Sequence, residues 1–219
     1  MTSTHEAMLP LFSPMAKAPA KKYRTLVADP PWHYDLRAKD ESHRARVTYP
    51  TMSISELMNL PVGLWAEDAS HLYLWTTNAF MVEAHQIAKA WGFEPKTILT
   101  WVKGRLDGGR IVHHIGMGNY YRNSTEHVLF CVRGSLATNN HDLPTAFLAE
   151  RREHSEKPAA FYDLVAHMSP GPFLDVFARK QRMMAGASFE VMDTFGNEAF
   201  VPDGLLATLS SEQRQALGR

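Results

Sequence analysis

Asp29-Pro30-Pro31-Trp32 places a carboxylate, two conformationally fixed residues and a flat aromatic ring side by side. The chemistry this set suits is methylation of an aromatic amine. An exocyclic amine on a purine is a weak nucleophile because its lone pair is delocalised into the ring. Two hydrogen-bond acceptors, one for each N–H, can pull that lone pair out of conjugation and aim it at an electrophile. Asp29 supplies one acceptor, and the backbone carbonyl of Pro30, stiffened by Pro31, can supply the other. Trp32 offers a face on which a base can stack. No strong general base is needed, since the nitrogen becomes acidic only once it carries the methyl group. The same residues would also make a strand-ending turn with a half-buried Trp. It is the preceding Asp and the apolar run before it that favour the chemical reading.

Other residues extend the pattern. Asp175 closes an apolar run, and Asn197-Glu198 follows about 20 residues later, a spacing like that of acidic residues that hold ribose hydroxyls. No glycine fingerprint for a pyrophosphate follows Phe177, so a cofactor with a ribose and no pyrophosphate fits better, and S-adenosylmethionine is the candidate. Surface turns also contain Gly-Asn-Glu, so this signal is weak by itself. Lys157 precedes a helix that starts at Pro158, where it and the helix N-terminus could take a cofactor carboxylate. Spacing alone favours a solvated lysine among Arg151, Arg152, Glu153 and Glu156. The 11 histidines lack a Cys/His partner pattern, which argues against a metal site. Two segments could follow a phosphate backbone. Residues 17–46 hold eight Lys/Arg against four Asp/Glu and include Arg37 and Lys39. Residues 103–122 hold Lys103, Arg105, Arg110 and Arg122 against Asp107, interleaved with Tyr120 and Tyr121.

These side chains need a scaffold that brings distant segments together. Residues 23–28 read as a buried strand, and ligands of open α/β sheets bind outside the carboxyl ends of such strands. Further strands are expected at 71–76, 97–102, 127–132, 172–177 and 189–192. Residues 53–58 read as a capped short helix, 79–91 as an amphipathic helix closed by Gly92, and 158–168 as a helix with Pro in its first turn. Residues 103–123 are expected to form a Gly-rich loop, and 205–217 a C-terminal helix. Strands alternating with helices imply a doubly wound, mostly parallel sheet with helices on both faces.

The 219 residues, 45% hydrophobic, suit a flexible N-terminal arm over 1–20 and one domain over 21–219. No apolar run approaches the roughly 20 residues of a membrane span, and no signal-peptide pattern is present. One cysteine, Cys131, excludes an internal disulfide framework and fits a reducing cytosol; inside Val128-Leu129-Phe130-Cys131-Val132 it reads as a packed core thiol. Net charge is zero, so any polyanion contact must come from local patches.

Taken together, the segments resemble the family named after the seventy-kilodalton subunit of the messenger-RNA adenosine methyltransferase, whose bacterial and phage members methylate DNA. The resemblance runs from Tyr23 to Glu198 through Asp29-Pro30-Pro31-Trp32, Trp75-Thr76-Thr77-Asn78, Ala90-Trp91-Gly92-Phe93 and Trp101-Val102-Lys103. It continues in Gly116-Met117-Gly118-Asn119-Tyr120 with Arg122, Glu126 and Arg133-Gly134, then His154-Ser155-Glu156-Lys157-Pro158, Phe177-Ala178-Arg179 and Gly196-Asn197-Glu198. It implies a Rossmann-like α/β methyltransferase in permuted motif order, using S-adenosylmethionine without a metal. Asp29 to Trp32 would form the amine site, with Asp29 also near the cofactor's methionine end. Lys157 would meet the methionine moiety, Arg179, Asn197 and Glu198 the ribose, and Phe177 would line the pocket. From the two basic segments, and not from the resemblance, Arg37, Lys39, Lys103, Arg110 and Tyr120 are expected to contact nucleic acid. The sequence departs from the family where Ser188-Phe189 replaces a common Gly-Trp, and where Leu11-Phe12 stands upstream of the catalytic strand.

The expected function is methylation of the exocyclic amine of adenine in DNA, giving 6-methyladenine, by a cytoplasmic enzyme of prokaryotic or phage type without a separate recognition domain. RNA methylation is the runner-up, because the tetrapeptide reads the amine and not the sugar. A non-catalytic nucleic-acid-binding partner of a methyltransferase complex is the alternative from another class. Homo- or hetero-oligomers are compatible with the sequence, and no membrane partner is expected.

Overall fold

The computed structural model describes residues 21–34, 51–116, 120–151, 156–178, 182–184 and 187–192. The strands are β1 (Tyr23–Ala28), β2 (Ala66–Thr76), β3 (Glu94–Asp107), β4 (Arg110–His113), β5 (Thr125–Arg133), β6 (Ala146–Ala149), β7 (Phe173–Val176), β8 (Arg182–Met184) and β9 (Ala187–Met192). The helices are α1 (Ile54–Met58), α2 (Val62–Trp65), α3 (Met81–Ala90) and α4 (Ala159–Met168). Among the described residues, one sheet runs β4-β3-β5-β2-β1-β7-β9-β8, with β6 added alongside β3.

β1 is central because it is apolar on both faces, as a strand covered on both sides must be. It pairs in parallel with β2 and with β7, and β7 pairs in parallel with β9. Alternation then sorts the core into two layers. Leu26, Ala28, Leu72, Leu74, Leu174 and Val176 pack with α1, α2 and α3 on one face. Val27, Tyr73, Trp75, Val128 and Phe173 pack with Phe161, Tyr162 and Val165 of α4 on the other. Helices therefore cover both faces, as the sequence pattern implies.

The chain leaves β1 for β2 by way of α1 and α2, and returns to β7 on the other side of β1 by way of α4. The carboxyl end of β1 is thus a switch point where the two halves diverge, the place where open α/β sheets bind ligands.

The expectation of a mostly parallel sheet holds around β1 and is corrected at the flanks. β5 runs antiparallel to both β2 and β3, β4 to β3, and β8 to β9. Short connections dictate this for β4 and β8, because a parallel crossover needs roughly a dozen residues or more. Gly108 and Gly109 (φ 54° and 78°) join β3 to β4 directly. Both central residues at positive φ suit a two-residue hairpin turn that matches strand twist. The loop expected over residues 103–123 is accordingly, in its first part, a projecting two-stranded ribbon. β4 escaped pattern reading because all of its residues are exposed and show no in/out alternation. β6 and β8, also unforeseen, are short.

The helices expected over 53–58, 79–91 and 158–168 are present, within a residue or two of those bounds. Ser53 caps α1 in a reciprocal capping box with Glu56. α3 is preceded by a 3-10 turn over Asn78–Phe80 and ends in a Schellman closure. There Phe93 N–H donates to Ala88 and Gly92 N–H to Lys89, both at 2.9 Å, with Gly92 at φ 84°. Cys131 is buried and its thiol pKa is pushed up to about 12 by desolvation and by Glu94, as befits a packed core residue. The arm over 1–20, the tail helix over 205–217, and Arg37, Lys39, Arg179, Asn197 and Glu198 lie outside the described residues.

Candidate active site

β1 stops where its ladder loses donors, since neither Pro30 nor Pro31 has an N–H. The turn is then tied down locally. Trp32 N–H donates to the Pro30 carbonyl and Met52 N–H to the Pro31 carbonyl, both at 2.9 Å, and Trp32 and Met52 form a parallel bridge. The Pro30 carbonyl is therefore already engaged by one backbone donor. A carbonyl oxygen has two lone pairs, so it retains capacity for a second. Asp29 leads off this turn with its carboxylate partly exposed.

Trp32 departs from the expected open stacking face. It is 6% exposed. Its ring stacks on Phe80 with centroids 4.9 Å apart, and Tyr34 meets the same Phe80 edge-on at 4.7 Å. Trp32 is a wall of the site. The more exposed aromatic there is Tyr34, whose hydroxyl is 3.1 Å from that of Thr77. Sequence reading passed over Tyr34 and Phe80, although Tyr34 follows the tetrapeptide closely.

The charged part of the site is a chain of alternating sign. Lys157 Nζ lies 3.0 Å from Asp29 Oδ2 and 3.0 Å from Glu126 Oε2, while Lys103 Nζ reaches Glu126 Oε1 at 2.5 Å. The sheet register explains the meeting. β5 is antiparallel, so its amino end lies beside the carboxyl ends of β1, β2 and β3. Glu126 opposes Trp101 across the β3–β5 ladder and shares a face with Val128, which puts it on the α4 side. Lys157 arrives just before α4. Each lysine also sits over an indole: Lys157 Nζ is 4.6 Å from the Trp75 ring centroid and Lys103 Nζ is 5.1 Å from that of Trp101.

Burial pulls Lys157 toward the neutral form, but Asp29 and Glu126 outweigh it and raise its pKa above the ordinary lysine value. Desolvation likewise opposes the charge on Glu126, and Lys157 and Lys103 together overcome it, holding the carboxyl below its usual range. The side chain of Lys157 is only 12% exposed. It is not the solvated lysine that spacing favoured. Lys103, expected to contact phosphate, is instead committed to Glu126 and Trp101. Glu126 was visible in the sequence only as one residue of a resemblance, because a lone Glu in a strand carries no spacing signal.

On the neighbouring position His127 Nε2 donates to Asn78 Oδ1 at 2.7 Å, so its Nδ1 accepts from the Thr100 hydroxyl at 3.2 Å. Burial lowers the His127 pKa, in keeping with this neutral arrangement. Phe177, directly after β7, is buried and held at φ 71°, a left-handed conformation that is uncommon for a bulky residue. Asp175 is buried within β7 and accepts from the Tyr162 hydroxyl at 2.7 Å. Arg110 and Tyr120 are exposed, Tyr120 by 94%, and lie on and beyond the ribbon rather than in the charged cluster.

The set suits the amino-acid end of a zwitterionic ligand. Such an end carries one carboxylate and one ammonium, and the site presents one well-buried cation paired with one partly open anion. Lys157, beside its two carboxylate partners, could take the ligand carboxylate, and the partly open Asp29 could take the ammonium. Each buried charge then keeps an ionic partner.

The MT-A70 family description matches residues 23–197. The chain is 30% identical over 214 residues to the type II methyltransferase M.MunI of Mycoplasma sp., covering 89% of this chain and 84% of that protein. It is 28% identical over 166 residues to an N(6)-adenosine-methyltransferase MT-A70-like protein of Arabidopsis thaliana, covering 75% of this chain and 22% of that one.

Proposed function

This chain belongs to the MT-A70 family of methyltransferases, and from that premise we propose that it methylates the exocyclic amine of adenine in DNA with S-adenosylmethionine. The observation that carries the reading is the Asp29–Lys157 pair, 3.0 Å apart at the carboxyl end of the central strand. MT-A70 methyltransferases use S-adenosylmethionine, and the cation–anion pair fits its methionine end. Arg179, Asn197 and Glu198 complete the proposed cofactor site around the ribose, with Phe177 as a wall.

When bound, S-adenosylmethionine supplies an electrophilic methyl group on a sulfonium, whose carbon–sulfur bond breaks as the nitrogen–carbon bond forms and whose thioether leaves neutral. Asp29 accepts one amine N–H and the Pro30 carbonyl, through its remaining lone pair, the other. Together they turn the nitrogen lone pair toward the methyl carbon. The proton that the nitrogen sheds afterwards passes to the Asp29 carboxylate and on to water. Trp32, Phe80 and Tyr34 form the aromatic side of the base site. Arg37, Lys39, Arg110 and Tyr120 supply phosphate and stacking contacts outside it. An adenine in a duplex must be flipped out to reach Asp29, at a cost of a few kcal/mol, unless the target is single-stranded.

DNA is favoured over RNA because the bacterial relative, named a type II methyltransferase, is shared over most of its length. Nucleoside mass spectrometry after incubation with matched DNA and RNA oligonucleotides tests it. 6-Methyladenine in the DNA arm supports the proposal; product confined to the RNA arm refutes the choice of substrate. Asp29→Ala should remain folded and lose on the order of 2.7–4 kcal/mol of transition-state stabilisation, by analogy with removal of an oxyanion-hole donor.

A further inference from the structure

Lys157 stands between two carboxylates at the same distance, 3.0 Å from Asp29 and 3.0 Å from Glu126. Attraction falls with separation, so two anions at equal range share the cation and neither holds it alone. Glu126 keeps its place independently of Asp29. It sits on a ladder rung opposite Trp101, and its second oxygen is bound by Lys103, itself lying over Trp101.

We propose that Glu126 is a positioning residue for the methyl transfer: it draws Lys157 away from full pairing with Asp29, which leaves Asp29 able to accept from the target amine. The inference deepens the proposed function and rests on its reading of Asp29. Without the charge of Glu126, Lys157 has Asp29 as its one anionic partner in the cluster. The ammonium closes on that carboxylate, and an incoming amine must compete with a complete ion pair whose cation is largely buried and whose anion is partly open. Lys157 itself stays in place over Trp75 and can still meet a cofactor carboxylate. The loss should fall on turnover and spare cofactor affinity.

The test compares the full-length parent with Glu126→Gln, which keeps the shape and removes the charge, and with Glu126→Asp, which keeps the charge at shorter reach. S-adenosylmethionine binding is measured by calorimetry and turnover with a DNA oligonucleotide that the parent methylates. In Glu126→Gln, kcat should fall roughly tenfold or more while the cofactor Kd stays within about threefold of the parent. Glu126→Asp should recover part of the lost turnover. Parental kcat in Glu126→Gln overturns the proposal, as does weakened cofactor binding with kcat intact. Equal impairment of the Gln and Asp variants also overturns it, since only packing would then be at stake. If thermal melting shows that Glu126→Gln does not fold, Glu126→Asp decides: lowered kcat at unchanged cofactor Kd supports the proposal, and parental kcat overturns it. Asp29→Ala run alongside separates the two readings. An active Asp29→Ala protein sinks the role of Asp29. An inactive one beside a fully active Glu126→Gln sinks only the role of Glu126.

Discussion

At the scale of single residues, Lys157 shows how burial and pairing decide a side chain's use. An ammonium removed from water is tolerated only with ionic partners, and Asp29 and Glu126 supply them at 3.0 Å each. Replacing Lys157 with Ala leaves two carboxylates facing a vacated position and removes the cation for the cofactor's carboxylate. S-adenosylmethionine affinity should drop by about 1–3 kcal/mol. Nucleic-acid affinity should change much less, and separate titrations of the two ligands check the contrast. Asn197→Ala, at the proposed ribose contact, should behave in the same direction. Lys157→Arg should not restore function fully, because a longer side chain with a planar, directional head cannot reproduce the 3.0 Å contacts to both carboxylates made by a compact ammonium in a largely buried position.

At the scale of elements, the β3–β4 ribbon carries different chemistry on its two faces. Cross-strand pairs in a ladder share a face. Arg105 pairs with Val112 and Asp107 with Arg110, on the face that continues back to Lys103 and Trp101. Leu106 pairs with Ile111, both exposed, on the other face. The basic face therefore leads from the ribbon tip toward the charged cluster. If Arg110 meets phosphate, Arg110→Ala should lower the logarithmic salt slope of DNA binding by roughly 0.7–0.9 and leave cofactor affinity unchanged. Lys103→Ala should do the reverse, because its charge is spent on Glu126. Filter binding over a salt series, with calorimetry for the cofactor, distinguishes them. An unchanged slope in Arg110→Ala would assign that residue to bulk solvent.

At the scale of the whole molecule, the two ends of the sheet are polar in different ways. The carboxyl end of β1 carries the ionic chain. Level with the amino end of β1, in the middle of β2, His71 Nε2 donates to the Leu136 carbonyl at 3.0 Å. Its Nδ1 must then accept from the Ser169 hydroxyl at 2.8 Å, and Ser169 accepts from Tyr73 at 2.8 Å. This neutral network fastens the end of α4 to β2. Burial lowers the His71 pKa from 6.5, against the opposing effect of its bond to Leu136. Unfolded chains then bind a proton that the native state refuses, so stability declines as pH falls through about 6.5. Glu126 adds a second acid limb. Its pKa is held below 4.5, so its stabilisation is complete above that value and is lost as pH falls through the lower, native one. Thermal melts over a pH series should show both limbs. His71→Gln should flatten the upper one and Glu126→Gln the lower one, and a parental profile in either variant would contradict its assignment.

Sequence alone determined what depends on neighbours along the chain. The strand before Asp29, the Ser53–Glu56 capping box, the Gly92 helix closure and the Pro158 helix start are local, and each was legible from residue type and spacing. The turn that Asp29-Pro30-Pro31-Trp32 makes at the end of β1 was legible too, because its residues are consecutive. Tertiary structure decided whatever required pairing across long separations. Glu126 met Lys103 only once antiparallel β3 and β5 lay side by side, it met Lys157 just before α4, and Trp32 was buried against Phe80 beyond the ends of the parallel β1 and β2. Antiparallel register was equally unreadable, since period-2 patterning is the same for either direction of pairing. A side chain's type sets which bonds it can make. Which partner stands at 3.0 Å, and whether water is excluded there, is set by the fold.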